Sequence, residues 1–444
     1  MNGQRWDILH SSFLIPPVFL MRYIVDWHIH SKYSRACSKQ LELPIIAQWC
    51  QRKGINIVAT GDWTHPLWFQ HIKEHLVEVR QGIFQLNNST SQQLDRPTEF
   101  MLVQEVSQIY KKGDTTRRIH NLVFSPSIET CEKVITMMQN RGFNLKADGR
   151  PILGIDSEEL YKRLKEIDEN MIMIPAHAWT PWYAIFGSKS GFNAIEECFG
   201  SMTPYIYAIE TGLSSDPQMN WQLSQLDDVL LISNSDAHSP RNLGREANVF
   251  EFDQPPTFDE FVRVLKEKDQ TKFLYTIEFY PQEGKYHFDG CAACGFSCDP
   301  IQSKQLQFRC PTCKRLLTLG VHHRVEELSD RSAAEVVSRK IPFKSIVPLA
   351  EIISEVYGVK SSTSKKVDEE YRKLTDQVAD EFSLLLDTPI ETILAVASDQ
   401  QIGVAIERMR QGNVSIQPGY DGVFGTVRLL DGNDIHTNKQ QTLV

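Results

Sequence analysis

Asp26-Trp-His-Ile-His30 follows a short apolar run, Tyr23 to Val25. On an extended strand, residues two apart point to the same side. His28 and His30 therefore aim both imidazoles at one point. A bare His-x-His is common, and its meaning depends on what the rest of the chain brings to it.

Working outward, the first 250 residues hold seven short β-rich runs, roughly 23–28, 55–61, 100–107, 119–124, 171–177, 205–210 and 229–234. Helical patterns separate most of them. Leu43 to Lys53 is stopped by Gly54, and Glu129 to Arg141 by Gly142. A third, from Ser157 to about Glu169, opens on a Ser-Glu-Glu cap with an acidic first turn. Strands alternating with helices predict an α/β fold of parallel construction.

Metal-capable residues sit at or just past nearly every run. The first gives His28 and His30, the second Asp62 and His65, the third Glu105. The fifth gives His177, the sixth Glu210, and the seventh Asp236 and His238. In a β/α barrel the C-terminal strand ends form one rim and carry the site. His120, at the start of the fourth run, fits this scheme least. Any one of these residues is as readily an ordinary core or surface group. The set, with pairs in His-x-His and Asp-x-His form, is not. His10, His71, His75, His287, His322, His323 and His436 lack that context.

The chain has 444 residues, 41% of them hydrophobic and 23% charged, with a net charge of −9. That length suits two or three domains. No global basic field advertises nucleic acid, although local patches decide such binding. Residues 12–20 are apolar but too short to span a bilayer, and they carry no convincing secretory signal. No other segment reads as membrane-spanning, so a cytoplasmic protein without a membrane partner is expected. Met21 is an alternative start, which makes residues 1–20 an extension.

These motifs, in this order, resemble the polymerase-and-histidinol-phosphatase (PHP) superfamily of metal-dependent phosphoesterases. The resemblance implies a distorted (βα)7 barrel with a two- or three-metal centre. It implies that His28, His30, Glu105 and Asp236 form the catalytic core and hold one metal. Glu105 would bridge to a second metal held with His120 and His177, and His65 and His238 would bind a third. The second motif departs from the family, reading Gly-Asp-Trp-Thr-His, so Asp62 and His65 are alternative ligands. The further His or Asp usual after His-x-His is absent from Ser31 to Ser38. Imidazoles with few carboxylates suit zinc, manganese or iron better than magnesium. Two ions about 4 Å apart clamp the attacking and leaving oxygens of a phosphoryl displacement.

A second module follows. Cys291-x2-Cys294-x15-Cys310-x2-Cys313 has the spacing of a structural four-cysteine zinc site, with Cys298 spare. From Ile301 to Ala350 there are nine Lys/Arg against four acids. A basic zinc ribbon beside a phosphoesterase centre points to a nucleic-acid backbone. The remainder reads as helical: Val347 to Tyr357, an amphipathic helix through Val367, Tyr371, Leu374, Val378, Phe382 and Leu385, and another over Ile390 to Met409. Pro418 to Gly425 is Gly-rich but lacks the Lys-Ser/Thr of a phosphate-binding loop. The expected domains are an extension (1–20), the barrel (21–275), the ribbon (276–325), a helical C-terminal domain (326–430) and a loose tail (431–444).

His28-Ile-His-Ser-Lys-Tyr-Ser-Arg35, Gly61-Asp-Trp-Thr-His-Pro-Leu-Trp68 and Glu278-Phe-Tyr-Pro-Gln-Glu-Gly-Lys-Tyr286, with the ribbon and helical tail, resemble the endonuclease Q family over about residues 21–430. The resemblance implies two or three divalent ions (Zn, Mn or Mg) in the barrel and nicking of DNA on the 5′ side of uracil, hypoxanthine, xanthine or abasic sites. It implies 3′-hydroxyl and 5′-phosphate ends, and a place among other repair or replication proteins. A lesion must leave the stack to be read. Ser214 and Asn234 are the candidates to bond it. Trp63, Trp68, Trp179, Trp182 and Tyr183 are the candidates to stack on bases, and Lys189 and Arg241 to meet phosphates. Two readings compete: a small-molecule phosphatase of the histidinol-phosphate type, and a DNA-binding protein with a vestigial barrel.

Overall fold

The computed structural model describes residues 20–87, 97–332, 335 and 341–430. His10, His436, Arg339, Lys340, residues 1–19 of the extension and the tail from 431 lie outside them.

The strand Met21–Asp26 pairs in parallel with Ile57–Ala59, and that strand with the start of Glu99–Lys112. Glu99–Lys112 then turns back at Gly113 into Thr115–Ser125, antiparallel and in register from Leu102–Ser125 to Lys112–Thr115. Thr115–Ser125 pairs antiparallel with Ile172–Pro175. Ala208–Glu210 and Leu230–Ile232 pair in parallel. They join the circle through Ala178 N–H donating to Glu210 O (2.9 Å) and Trp27 N–H donating to Asn234 Oδ1 (2.8 Å). These are the seven runs read from the sequence, closed in chain order. Ala247–Phe252, Phe273–Glu278 and Phe343–Ser345 extend the sheet beyond the first strand.

The all-parallel expectation is corrected at the long hairpin. Thr115–Ser125 runs down the barrel, so its N-terminal half reaches the rim. His120 is mid-strand and still lies at the rim, which removes its misfit.

The helices form for local reasons. In Leu43–Lys53 a proline occupies the first turn, Leu43, Ile46, Ala47 and Cys50 turn inward, and Gly54 ends the helix at φ 87°. The helix at 157 is capped by Asp156, not Ser157: its carboxylate accepts the N–H groups of Glu158 and Glu159. The expected long helix through Val367 to Leu385 is two, Lys365–Gln377 and Glu381–Leu386. Asp380 restarts the chain by accepting Ser383 N–H (2.9 Å). Ile390–Met409 is likewise two, Ile390–Leu394 and Gln401–Arg410. Between them Ser398 N–H goes to Glu370 Oε1 (2.7 Å) instead of a helical carbonyl. The C-terminal region is not helical throughout: Phe343–Ser345 rejoins the barrel sheet, and Ser415–Gln417 pairs with Thr426–Arg428. The ribbon hairpin, Asp289–Cys291 with Phe296–Cys298, has its own small core of Cys291, Cys298, Cys310 and Leu317.

Trp27 explains why the histidines face inward. Its buried ring packs 5.4–5.5 Å from Phe124, Phe250 and Phe261. Strand alternation then turns His28 and His30 to the opposite side. Trp27→Ala is expected to cost about 3–5 kcal/mol, read as a lower denaturant midpoint; an unchanged midpoint would refute this anchoring role.

Candidate metal centre

The rim brings two groups of side chains together. One nitrogen or carboxylate oxygen each from His28, His30, Glu105 and Asp236 lie within 4.8 Å of one another. The same holds for Glu105, His120 and His177, so Glu105 belongs to both groups. Glu105 Oε1 lies 2.5 Å from His120 Nδ1 and 2.9 Å from His177 Nε2. Its Oε2 lies 3.4 Å from His30 Nε2 and 3.6 Å from His28 Nε2. Asp236 Oδ1 lies 3.1 Å from His30 Nε2 and 3.4 Å from His28 Nε2.

Each imidazole is oriented from behind. His28 Nδ1 meets Glu210 (3.0 Å), and His30 Nδ1 meets Asp62 (3.2 Å). His120 Nε2 meets Ser107 Oγ (3.1 Å), and His177 Nδ1 meets Thr180 Oγ1 (3.0 Å). The remote nitrogen of each ring is thereby occupied and the other faces the centre, the arrangement that fixes metal-binding histidines. Glu210 does more: it accepts His177 N–H (2.7 Å) and Asn234 Nδ2–H (2.9 Å). Among the site residues Asp62, His177 and Asp236 have φ of 43°, 29° and 47°. Such left-handed backbone costs of order 1–3 kcal/mol per residue and gathers at functional sites.

The charges do not balance locally. Burial raises the carboxyl of Glu105, but Arg150, His120 and His28 overcome this and hold it well below its ordinary value. Burial lowers His28 and His30, yet the surrounding carboxylates hold both well above theirs. Desolvation wins at His120, which falls to about 4. His28 Nε2 is buried, faces Glu105 and Asp236, and has no hydrogen-bond partner. A buried ring nitrogen without a partner, facing two carboxylates, fits a cation site. The residues present therefore fit two divalent ions sharing Glu105.

Among the described residues, His65 and His238, expected at a third site, belong to neither of these two groups. His65 stacks on Tyr33 at 4.4 Å, while His238 lies against His30 at 4.7 Å. Asp62 sits behind His30, accepting Ser31 N–H and the hydroxyls of Ser31 and Ser34 at 2.6–2.9 Å. These serines occupy the stretch where the usual extra ligand is missing.

The residues expected to contact DNA differ in exposure. Trp68, Trp63 and Trp179 are fully buried; Trp68 Nε1–H donates to Thr60 O (3.1 Å) and Gly61 O (3.0 Å). They have no free face for a base. Asn234 is buried and spent: its Oδ1 accepts Trp27 N–H (2.8 Å) and Asn248 Nδ2–H (3.0 Å). Arg241 turns away to Asp368 in the C-terminal helices and over Trp49. Trp182 and Lys189 are exposed, Ser214 is half-buried, and Tyr183 lies against His120 at 4.7 Å.

Sequence reasoning missed Arg150. Its Nη1–H donates to Glu105 Oε2 (2.7 Å), and its N–H donates to Ser34 Oγ (3.1 Å) and Asp148 Oδ1 (3.2 Å). It lies in Asp148-Gly-Arg-Pro151, a loop without a motif. Glu210 stands at the rim as its strand-end position predicts, and its role is to hold His28 and the His177 backbone. In the ribbon the sulfurs of Cys291, Cys294, Cys310 and Cys313 lie within 4.8 Å of one another. Arg315 Nε–H donates to Cys313 Sγ (3.5 Å) and pulls that thiol down to about 6.

Residues 227–269 match the family model described as PHP-associated, and residues 348–413 the one described as MJ0043 C-terminal domain. The uncharacterized protein YqxK of Bacillus subtilis is 27% identical over 391 residues, 86% of this chain and 91% of that protein. The uncharacterized protein MJ0043 of Methanocaldococcus jannaschii is 29% identical over 318 residues, 67% of this chain; the match spans only 39% of that longer protein. The lesion-specific endonuclease PfuEndoQ from Pyrococcus furiosus is 30% identical with a TM-score of 0.80, over 92% of this chain and 95% of that one. A complex of endonuclease Q with a 27-mer duplex bearing an abasic lesion at the active site has 30% identity and a TM-score of 0.79, over 94% and 98%.

Because Glu210 fixes His28 and the backbone of His177, Glu210→Gln is expected to weaken barrel metal affinity by about 10–100-fold in calorimetric titration, with the fold retained. Unchanged affinity would show that Glu210 only packs.

Proposed function

Since the chain belongs to the endonuclease Q family, we propose that it is a metal-dependent endonuclease that hydrolyses the phosphodiester bond 5′ of a deaminated base or abasic site in DNA. The observation that carries this reading is one buried carboxylate, Glu105, shared by two donor groups at one rim. Two divalent ions, zinc, manganese or magnesium, held by His28, His30, Glu105 and Asp236 and by Glu105, His120 and His177, would supply an activated water and neutralise phosphate charge.

The chain's own residues supply the rest. Glu210, Asp62, Ser107 and Thr180 keep the four imidazoles in one orientation. Arg150 adds a fixed cation beside Glu105, on a side chain still 24% exposed at the mouth. With DNA bound, this cation would stabilise charge as it develops on the scissile phosphate. His238 Nδ1–H donates to Asp236 O (2.8 Å), which leaves Nε2 as a lone-pair site at the mouth. The four ribbon cysteines would hold a cation, zinc by donor type, which would stabilise that module. Its basic face would meet the DNA backbone. Other repair or replication proteins are proposed as partners. Among the described residues no helix is long and apolar enough to cross a membrane.

The test is a labelled duplex with one uracil, hypoxanthine, xanthine or abasic site, incubated with the protein and Mg²⁺ or Mn²⁺. The expected product is a nick on the 5′ side with 3′-hydroxyl and 5′-phosphate ends, abolished by chelation and by Asp236→Ala. Arg150→Gln should lower kcat by about 10²–10³-fold while barrel metal content stays full. Uncut DNA alongside hydrolysed histidinol phosphate would sink the nuclease reading. Tight DNA binding without hydrolysis of either would favour the vestigial barrel. Cys291→Ser should lower stability or DNA affinity and leave barrel metal unchanged; loss of barrel metal alone would refute the separate ribbon.

A further inference from the structure

The strands Met21–Asp26 and Phe273–Glu278 both run antiparallel to Ala247–Phe252, with Val25 and Thr276 each opposite Asn248. They therefore run the same way, and residues 279–288 leave the barrel on the rim that carries the metal centre. The Gly-rich stretch Pro418 to Gly425, which the proposed reaction does not use, is laced to that segment. Gly419 N–H donates to Gln282 O (2.8 Å), Gly422 N–H to Lys285 O (2.9 Å) and Gly425 N–H to Glu283 O (3.0 Å). Phe288 N–H donates back to Gly419 O (2.9 Å). A Cβ on Gly425 would lie 2.1 Å from Gln282 O, and one on Gly419 2.4 Å from Gly284 O, so this approach requires glycine. Asp421 ties the loop to the ribbon by accepting Ala292 N–H (2.7 Å) and the Thr318 hydroxyl (2.6 Å).

This well-fixed backbone displays an outward apolar group. Phe424 is 72% exposed, Val423 41% and Tyr286 38%. Lys285 Nζ lies 5.7 Å from the centres of both the Tyr286 and Phe424 rings. A single exposed aromatic needs no explanation. Two rings flanking one ammonium on a laced loop, at the edge of a basic ribbon, do. Between Pro300 and Gly320 that ribbon carries Lys304, Arg309, Lys314 and Arg315 and no Asp or Glu. A nucleotide offers both a π-face for the rings and a phosphate for the cation.

We propose that Tyr286, Lys285 and Phe424 form a stacking platform for an unstacked nucleobase of the DNA next to the lesion. The proposal rests on the nuclease reading. Extruding a lesion removes a stacking partner from its neighbours, and the platform replaces that partner with protein rings.

The experiment places 2-aminopurine beside an abasic site in a duplex and mixes it with the full-length protein. The wild type should quench the probe by stacking, and the Tyr286→Ala/Phe424→Ala variant should leave it bright. The same variant should raise KM for the duplex by about tenfold or more. Its kcat for nicking and its hydrolysis of bis(4-nitrophenyl) phosphate should match the wild type. Phe424→Trp should keep both quenching and KM. Unchanged KM and quenching in the double variant would overturn the platform while the nuclease reading stands. Lost hydrolysis of the small diester, or equal damage from Phe424→Trp, would assign these residues a structural role instead. If the wild type leaves damaged DNA unbound and uncut, the nuclease reading falls and the platform with it.

Discussion

A buried anion governs this structure. Glu105 is fully inside the barrel, and His120, His177 and Arg150 approach its oxygens within 2.9 Å. A carboxylate removed from water is tolerated only when every lone pair finds a partner. The neighbouring elements meet that demand. The long hairpin supplies both Glu105 and His120, the strand Ile172–Pro175 leads into His177, and the loop at Asp148 brings Arg150. Behind them Glu210, Asp62, Ser107 and Thr180 hold the rings still. The donors, their supports and the distorted barrel are thus one arrangement.

Much of this was legible in the sequence. The seven runs and the rim residues that follow them depend on period-two alternation and on strand ends, which are local features. The spacing of Cys291, Cys294, Cys310 and Cys313 is equally local, and the structure gathers those four sulfurs. What escaped was direction and long-range pairing. Thr115–Ser125 has the composition of any buried strand, and nothing in its residues says that it runs down the barrel. Trp68 and Asn234 looked like ligands of a base because they flank the motifs; in the fold their polar atoms are consumed by backbone and neighbouring amides. Arg150 sits in a loop whose identity as a rim element appears only when Ser34 and Asp148 bind its backbone. The helical breaks at Asp380 and Ser398 escaped for a similar reason: the apolar spacing continues across them, and capping and a distant glutamate decide.

The same geometry explains why the loop after His-Ile-His carries a more specific signal than the histidines. Ser31 and Ser34 bond Asp62, which orients His30. Ser34 also accepts the N–H of Arg150, and Arg35 lies 3.4 Å from Asp148 through its Nε. The loop therefore couples His30 of the first group to the cation on the Glu105 oxygen that faces that same group. Changing it alters both at once, while a generic phosphoesterase needs only the rings.

The two donor groups differ in how the chain must travel to make them. Glu105 and His120 belong to one hairpin and meet across a short loop at low entropic cost. His28 and Asp236 come from the two ends of the barrel, joined by the contact between Ile29 and Ala237 and by the Ser235 hydroxyl on Asp26. Closing that circle brings together residues as far apart in sequence as His30 and Asp236, 206 positions. An ion held across it would act as a cross-link between the first and last strands, stabilising the closed form by mass action. Loss of that ion would then be felt as faster opening of the barrel seam, while the hairpin keeps its shape.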